Sequence, residues 1–191
     1  EKQKVEYAKA ITEQTRRLSG LITNILKLNR LENQQIFPER KQYNLTEQIC
    51  ECLLLFEQSW VSKNINIEPE LEEDIFINED AELLSLVWNN LFSNAIKFTD
   101  NGGTVGIKVK KEGLTAIVEV SDNGCGISSE TGKHIFDKFY QGDTSHAVQG
   151  NGLGLALVKR VIDIVGGDIH VHSTLGEGSK FIVYLRENII E

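Results

Sequence analysis

The sequence predicts an α+β domain preceded by one long helix, on three observations. Apolar residues near the N-terminus recur at spacings of three and four, apolar alternation appears later, and helical stretches flank the alternating segments. The 191 residues carry 20 basic and 28 acidic side chains, 40% hydrophobic residues and two prolines. That composition is globular rather than disordered, and the net charge of −8 argues against non-specific nucleic-acid binding. No apolar run approaches the roughly 20 residues that cross a membrane. Residue 1 is Glu and methionine is absent, so the chain is expected to be a piece of a longer protein. Three cysteines (Cys50, Cys52 and Cys125) cannot form a fully paired framework and suit a reducing compartment. Cys50 and Cys52 lack partners for a zinc site and read as small buried hydrophobes.

Residues 1–36 form the first unit. Ala8, Ile11, Thr15, Leu18, Ile22, Ile25 and Asn29 trace a heptad seam, widened by Tyr7, Leu21 and Leu28. Such a stripe requires a partner helix or another subunit. Pro38 and a polar run mark the boundary to residues 37–191. Asn44 and Glu47 form a capping box opening a helix to about Val61, and a strand pair is expected around Asn64–Asn78. Asp80 caps a second helix, Ala81 to about Phe98. Alternation at Val105, Ile107 and Val109 and again at Ile117, Val118 and Val120 predicts two strands around a Lys111-Glu112-Gly113 turn. A helix near Ser129–Phe139 leads into a Gly-containing loop to Asn151. A further helix, about Leu153–Val165, stops at Gly166-Gly167. Asp168–Ser173 and Lys180–Arg186 close the chain as a hairpin over Gly176-Glu177-Gly178.

Four clusters could carry chemistry. Asn90, Asn94 and Lys97 share one helix face, where amide oxygens suit Mg²⁺ and an ammonium suits phosphate. A solvated polar face is the plainer alternative, although Leu86, Val87, Leu91, Ala95 and Phe98 surround them. Asp122-Asn123-Gly124-Cys125-Gly126 follows a strand and could accept an exocyclic amine, or could be a tight turn alone. Gly150-Asn151-Gly152-Leu153-Gly154-Leu155 precedes a helix whose free N–H groups favour phosphate. It departs from the dinucleotide fingerprint, and no Walker A motif is present. Phe136-Asp137-Lys138-Phe139-Tyr140 could anchor one end of a lid.

The succession N-x-x-x-N-A-x-K-F-T, D-x-G-x-G, F-x-x-F and G-x-G-x-G over Asn44–Arg186 resembles the catalytic ATP-binding domain of sensor histidine kinases. These belong to the wider gyrase, heat-shock-chaperone, histidine-kinase and MutL ATPase superfamily. Arg17-Leu18-Ser19 and Leu28-Asn29-Arg30-Leu31-Glu32 are similar to the second helix of that family's dimerisation and phosphotransfer bundle. The resemblance implies a two-layer α/β sandwich with a mixed sheet, the Bergerat-type ATP-binding fold. It implies ATP and Mg²⁺ as cofactors, with Asp122 receiving the adenine amine. Asn90, Asn94 and Gln141 would serve the metal, and Lys97 would add charge. Thr99, Gly124, Gly126, Ile127, Phe136, Phe139, Tyr140, Gly150, Gly152, Leu153, Gly154 and Leu155 would complete the nucleotide site. Many relatives carry Arg where Gln141 stands, so Lys138 and His146 are alternative γ-phosphate contacts.

Hydrolysing members of the superfamily usually place Glu at the Asn90 position. An amide cannot act as that base, so transfer is favoured over hydrolysis. The four histidines, His134, His146, His170 and His172, lie off the heptad helix, and none fits the family's phosphoacceptor. The resemblance therefore implies phosphate transfer to a histidine on a helix outside this chain, then to a response-regulator aspartate. It also implies a homodimer through residues 1–36 and a cytoplasmic location, without direct membrane contact by this fragment, on the cytoplasmic side of the membrane where the parent protein is anchored to one. The alternatives are a dimerising ATP-binding scaffold without kinase activity, or another ATPase or serine kinase of the superfamily.

Overall fold

The computed structural model describes residues 2–33, 37–141 and 152–186. Helix α1 spans Lys2–Asn33 as its periodicity predicts. Its seam is open: Ile11, Leu18 and Ile22 are exposed. Near its end Leu28 and Leu31 turn into the core, and the helix packs against α6 (Gly154–Val165). Arg160 Nε donates to the Leu31 carbonyl at 2.9 Å, and Lys138 pairs with Glu32 at 2.6 Å.

Strand β1 (Lys41–Asn44) leads into α2 (Leu45–Leu54), where Asn44 Oδ1 accepts the Glu47 N–H at 3.2 Å. The single helix expected to Val61 is instead two, because α3 spans Glu57–Ser62. The chain turns at Phe56, which with Trp60 packs against the core. Apolar periodicity does not distinguish one helix from two offset ones.

The strand pair expected at Asn64–Asn78 also resolves differently. Strand β2 (Asn66–Leu71) pairs in parallel with β4 (Thr104–Glu112), whereas β3 (Phe76–Glu79) pairs antiparallel with β1. The intervening backbone is captured by other elements. Glu72 donates its N–H to Val109, the Thr46 hydroxyl donates to the Glu72 carbonyl, and Leu45 donates to Ile75. Pro69 is tolerated because β2 lies at the sheet edge.

The main sheet has the order β2-β4-β5-β7-β6, with β5 at Thr115–Asp122, β6 at Asp168–Thr174 and β7 at Gly178–Arg186. Apart from the parallel β2–β4 pair, its neighbours are antiparallel. Val105, Ile107, Val109, Val118, Val120, Phe181 and Val183 bury the helix-facing side. Helix α4 (Ala81–Phe98), capped by Asp80 Oδ1 on Leu83 N–H, packs there beside α6. Trp88 and Phe92 of α4 are fully buried. Trp88 Nε1 and the Tyr43 hydroxyl both donate to Gln48 Oε1 at 3.0 Å, so the buried polar atoms are satisfied at modest cost. Burial and nearby carboxylates raise the Tyr43 pKa, keeping the phenol neutral.

Helix α5 is short, Ser129–Gly132, and does not continue to Phe139 as expected. The Thr131 carbonyl accepts His134 N–H, the His134 carbonyl accepts Asp137 N–H, and the chain proceeds by turns rather than helix. Phe139 then adopts φ +61°, a conformation incompatible with continuing a right-handed helix. Helix α6 ends as predicted, with Gly166 left-handed at φ +77° and the Gly167 N–H returned to Ile162. Among the described residues, no helix is long and apolar enough to cross a membrane.

Candidate active site

The C-terminal half of α4 and the N-terminus of α6 form one wall. Asn90 donates Nδ2 to the Leu86 carbonyl at 2.7 Å, leaving Oδ1 directed toward α6. A Cβ on Gly154 would lie 2.6 Å from that oxygen, so glycine keeps the amide and the helix start in close approach. Leu153, the N-cap of α6, makes no side-chain cap hydrogen bond. The first N–H groups of a helix have no intrahelical acceptor, and such a start favours an anion. Asn94 is half-buried one turn beyond Asn90, while Lys97 Nζ lies 4.8 Å from the centre of the Phe98 ring.

The second wall is the turn after β5. Asp122 Oδ1 accepts the Gly124 N–H at 3.0 Å, and the Ser179 N–H also donates to the carboxylate. Burial pushes the carboxyl above the ordinary Asp range, with the two N–H donors opposing the shift. At both glycines of this turn, protein backbone occupies the position a side chain would take. A Cβ on Gly124 would lie 2.2 Å from the Phe98 carbonyl oxygen, and one on Gly126 would lie 2.0 Å from the Thr174 oxygen. Gly126 also needs its φ of +66°.

The β6–β7 hairpin completes this interlock. A Cβ on Gly178 would lie 1.9 Å from the Asp122 backbone carbonyl oxygen, and Gly176 N–H donates to the Cys125 carbonyl at 2.7 Å. The hairpin expected over Gly176-Glu177-Gly178 is present, and it braces the Asp122 turn.

The described residues flanking 142–151 meet one another. Phe139 N–H donates to the Gly152 carbonyl at 2.8 Å, and Gly152, at φ +62°, passes so close to Phe139 and Tyr140 that a side chain would collide. Phe136 and Tyr140 are half-buried, whereas Phe139 and Gln141 are exposed. Gly150, Asn151 and His146 lie outside the described residues. Leu153 is fully buried, so its part in any site is through its backbone; Leu155 and Ile127 pack partly against the core. Thr99 is also buried and gives its hydroxyl to the Ala95 carbonyl at 2.7 Å.

Two supporting residues escape sequence reasoning. Ser173 Oγ accepts the Ile127 N–H at 2.8 Å and donates to the Gly178 carbonyl, joining turn and hairpin. Asn123 Oδ1 accepts the Thr104 N–H at 2.8 Å. Each acts across strands distant in sequence, without a local motif to signal it. Cys52 is buried as expected, Cys50 half-buried and Cys125 exposed on the turn; all three are free.

Residues 79–189 match the family described as histidine kinase-, DNA gyrase B-, and HSP90-like ATPase. The chain is 36% identical to the circadian input-output histidine kinase CikA of Synechococcus elongatus, over 97% of its own length and 25% of that protein. It is 33% identical to the sensor histidine kinase RppB of Synechocystis, over 92% and 39% respectively. It therefore spans well under half of these relatives. Full-length ShkA in complex with AMPPNP superposes with a TM-score of 0.83 at 26% identity, covering 96% of this chain and 38% of that one. Histidine kinase ThkA in complex with the response regulator TrrA gives 0.79 at 27%, covering 96% and 51%.

Proposed function

The chain belongs to the histidine kinase-, DNA gyrase B- and HSP90-like ATPase family, and on that premise we propose that it is the ATP:protein-histidine phosphotransferase part of a sensor kinase. The observation that carries this is the meeting of α6's uncapped start with the Asn90 amide oxygen across Gly154. It sets phosphate-binding N–H groups beside neutral oxygen donors for a divalent cation.

Asn90 and Asn94 would hold Mg²⁺, with Gln141 able to add a further amide oxygen. A divalent cation held there would supply positive charge against the negative charge that develops on the phosphates during transfer. Asp122 accepts the adenine amine, Lys97 supplies positive charge, and the α6 amides orient the phosphates. Gly152 lets the returning lid segment lie against Phe139 and Tyr140. Asn90 carries no proton-accepting carboxylate, so the site lacks at that position the base that would activate water.

The domain division at residues 36 and 37 suits this reading, with α1 supplying the bundle helix and its open seam pairing with a second copy. ThkA's complex with a response regulator supports an aspartate-bearing receiver domain as the onward acceptor. We place the domain in the reducing cytoplasm, where three free cysteines are compatible with function.

Titrating the chain with a non-hydrolysable ATP analogue should show binding strengthened by Mg²⁺, and Asn94→Ala should abolish the Mg²⁺-dependent gain. Affinity unchanged in the variant would overturn the metal role, and no binding by the wild type would overturn the nucleotide reading. The phosphoacceptor is a separate question. His170 and His172 lie on a strand and His134 in a turn, none on α1. Incubated alone with γ-labelled ATP, the chain should acquire no stoichiometric acid-labile, base-stable label. Such label would mean that one of its own histidines is the acceptor.

A further inference from the structure

Lys63, 36 residues before Thr99, belongs to none of the clusters read from the sequence. Its ammonium donates to the carbonyls of Ile96 at 2.9 Å, Lys97 at 2.9 Å and Thr99 at 2.6 Å. All three of its N–H donors are thereby committed to the C-terminal end of α4. These are carbonyls that a helix end leaves without intrahelical partners, and a cation there also complements the helix dipole.

The carbonyl that Lys63 leaves out is that of Phe98, the oxygen against which Gly124 packs. Holding the carbonyls on either side of Phe98 thus sets the direction in which its oxygen meets the Asp122 turn. The backbone reinforces the clamp: Gly102 N–H donates to the Lys63 carbonyl at 2.8 Å, and Asn66 N–H to Gly103 at 2.8 Å. Lys63 caps α3, and Asn64 reverses the chain at φ +51°, which brings the side chain beneath α4. The α4–β4 connection is a shelf carrying the adenine end of the site, and Lys63 is its fastening.

Building on the nucleotide reading above, we propose that Lys63 is a positioning residue for the adenine end of the site, acting through the Phe98–Thr99 backbone without touching the ligand. Removing the ammonium releases three carbonyls, and the turn bearing Asp122 loses its defined support.

The test uses the full 191-residue chain, with ADP and adenosine as probes in calorimetric titrations below the unfolding transition. Lys63→Met should weaken both ligands at least tenfold while leaving the ratio of their affinities nearly unchanged, since the helix start at Gly154 that faces Asn90 does not depend on Lys63. Lys63→Arg, which restores a multidentate cation, should recover most of the loss. Lys63→Met with wild-type affinity would overturn the proposal. So would a loss confined to ADP, or one that follows the unfolded fraction and is not rescued by Arg. If Lys63→Met does not fold, Lys63→Gln makes the same comparison, with weaker binding of both ligands expected and unchanged binding overturning the idea. Asp122→Asn serves as the control: wild type binding ADP and Asp122→Asn failing to, with Lys63→Met normal, rejects only the Lys63 proposal. A wild type that binds neither ligand rejects the nucleotide reading as well.

Discussion

Asp122→Asn is expected to weaken ATP binding by roughly 30-fold or more, corresponding to about 2 kcal/mol for a charge-assisted hydrogen bond in a desolvated site. The variant keeps the shape of the side chain and an oxygen to accept the Gly124 N–H, so the fold should survive. Its amide can also donate. The preference for ATP over inosine triphosphate, whose six-position presents an acceptor, should therefore collapse together with the affinity. Retained discrimination would show that Asp122 does not read the base. In the wild type, protonation of the carboxyl should remove the same interaction. Burial raises this group's pKa, so affinity should fall with decreasing pH sooner than for an ordinary Asp, and stay level on the alkaline side. The variant's affinity should lack that acid-side decline.

Gly178→Ala should be the most damaging single methyl addition in the hairpin. Gly178 has φ +113°, and the new Cβ would lie 1.9 Å from the Asp122 backbone carbonyl oxygen and 2.8 Å from the Asn123 Cα. Backbone lies on both sides of the contact and cannot rotate away as a side chain would. A cost of roughly 3 kcal/mol or more follows from strain plus overlap. For a chain of this size that lowers the melting temperature by about 6–12 °C. Gly176→Ala separates the two causes. Gly176 also has positive φ, at +85°, but its Cβ would meet open space, leaving only a conformational cost of about 1–2 kcal/mol. Equal melting temperatures for the two variants would show that the interlock with the Asp122 turn contributes nothing.

Much of the architecture was legible because it depends on local chemistry. Asn44 and Asp80 announced their helices as side-chain caps, Gly166-Gly167 announced the end of α6, and period-two alternation marked β4. The errors fall where local pattern is silent about partners. Two strands do lie in the Asn64–Asn78 region, but whether β2 pairs with β3 or with β4 is set by bonds reaching from Val109, Thr46 and Leu45. The break at Phe56 and the early end of α5 likewise answer to packing and to Phe139's backbone, which leave no periodic signature.

The residues of the site divide along the same physical line. The shared helix face of Asn90, Asn94 and Lys97 and the place of Asp122 at a strand end follow from local periodicity, while their nucleotide roles come from the family resemblance and are proposals. What Gly124, Gly126 and Gly178 are for is not legible locally, since a missing side chain acquires meaning only from what fills its place. Folding brings Phe98, Thr174 and Asp122 backbone into those spaces, from segments far apart in sequence, and brings Lys63 under α4. The chemical groups are inherited from the chain; their fixed directions come from long-range backbone contacts that no local rule encodes.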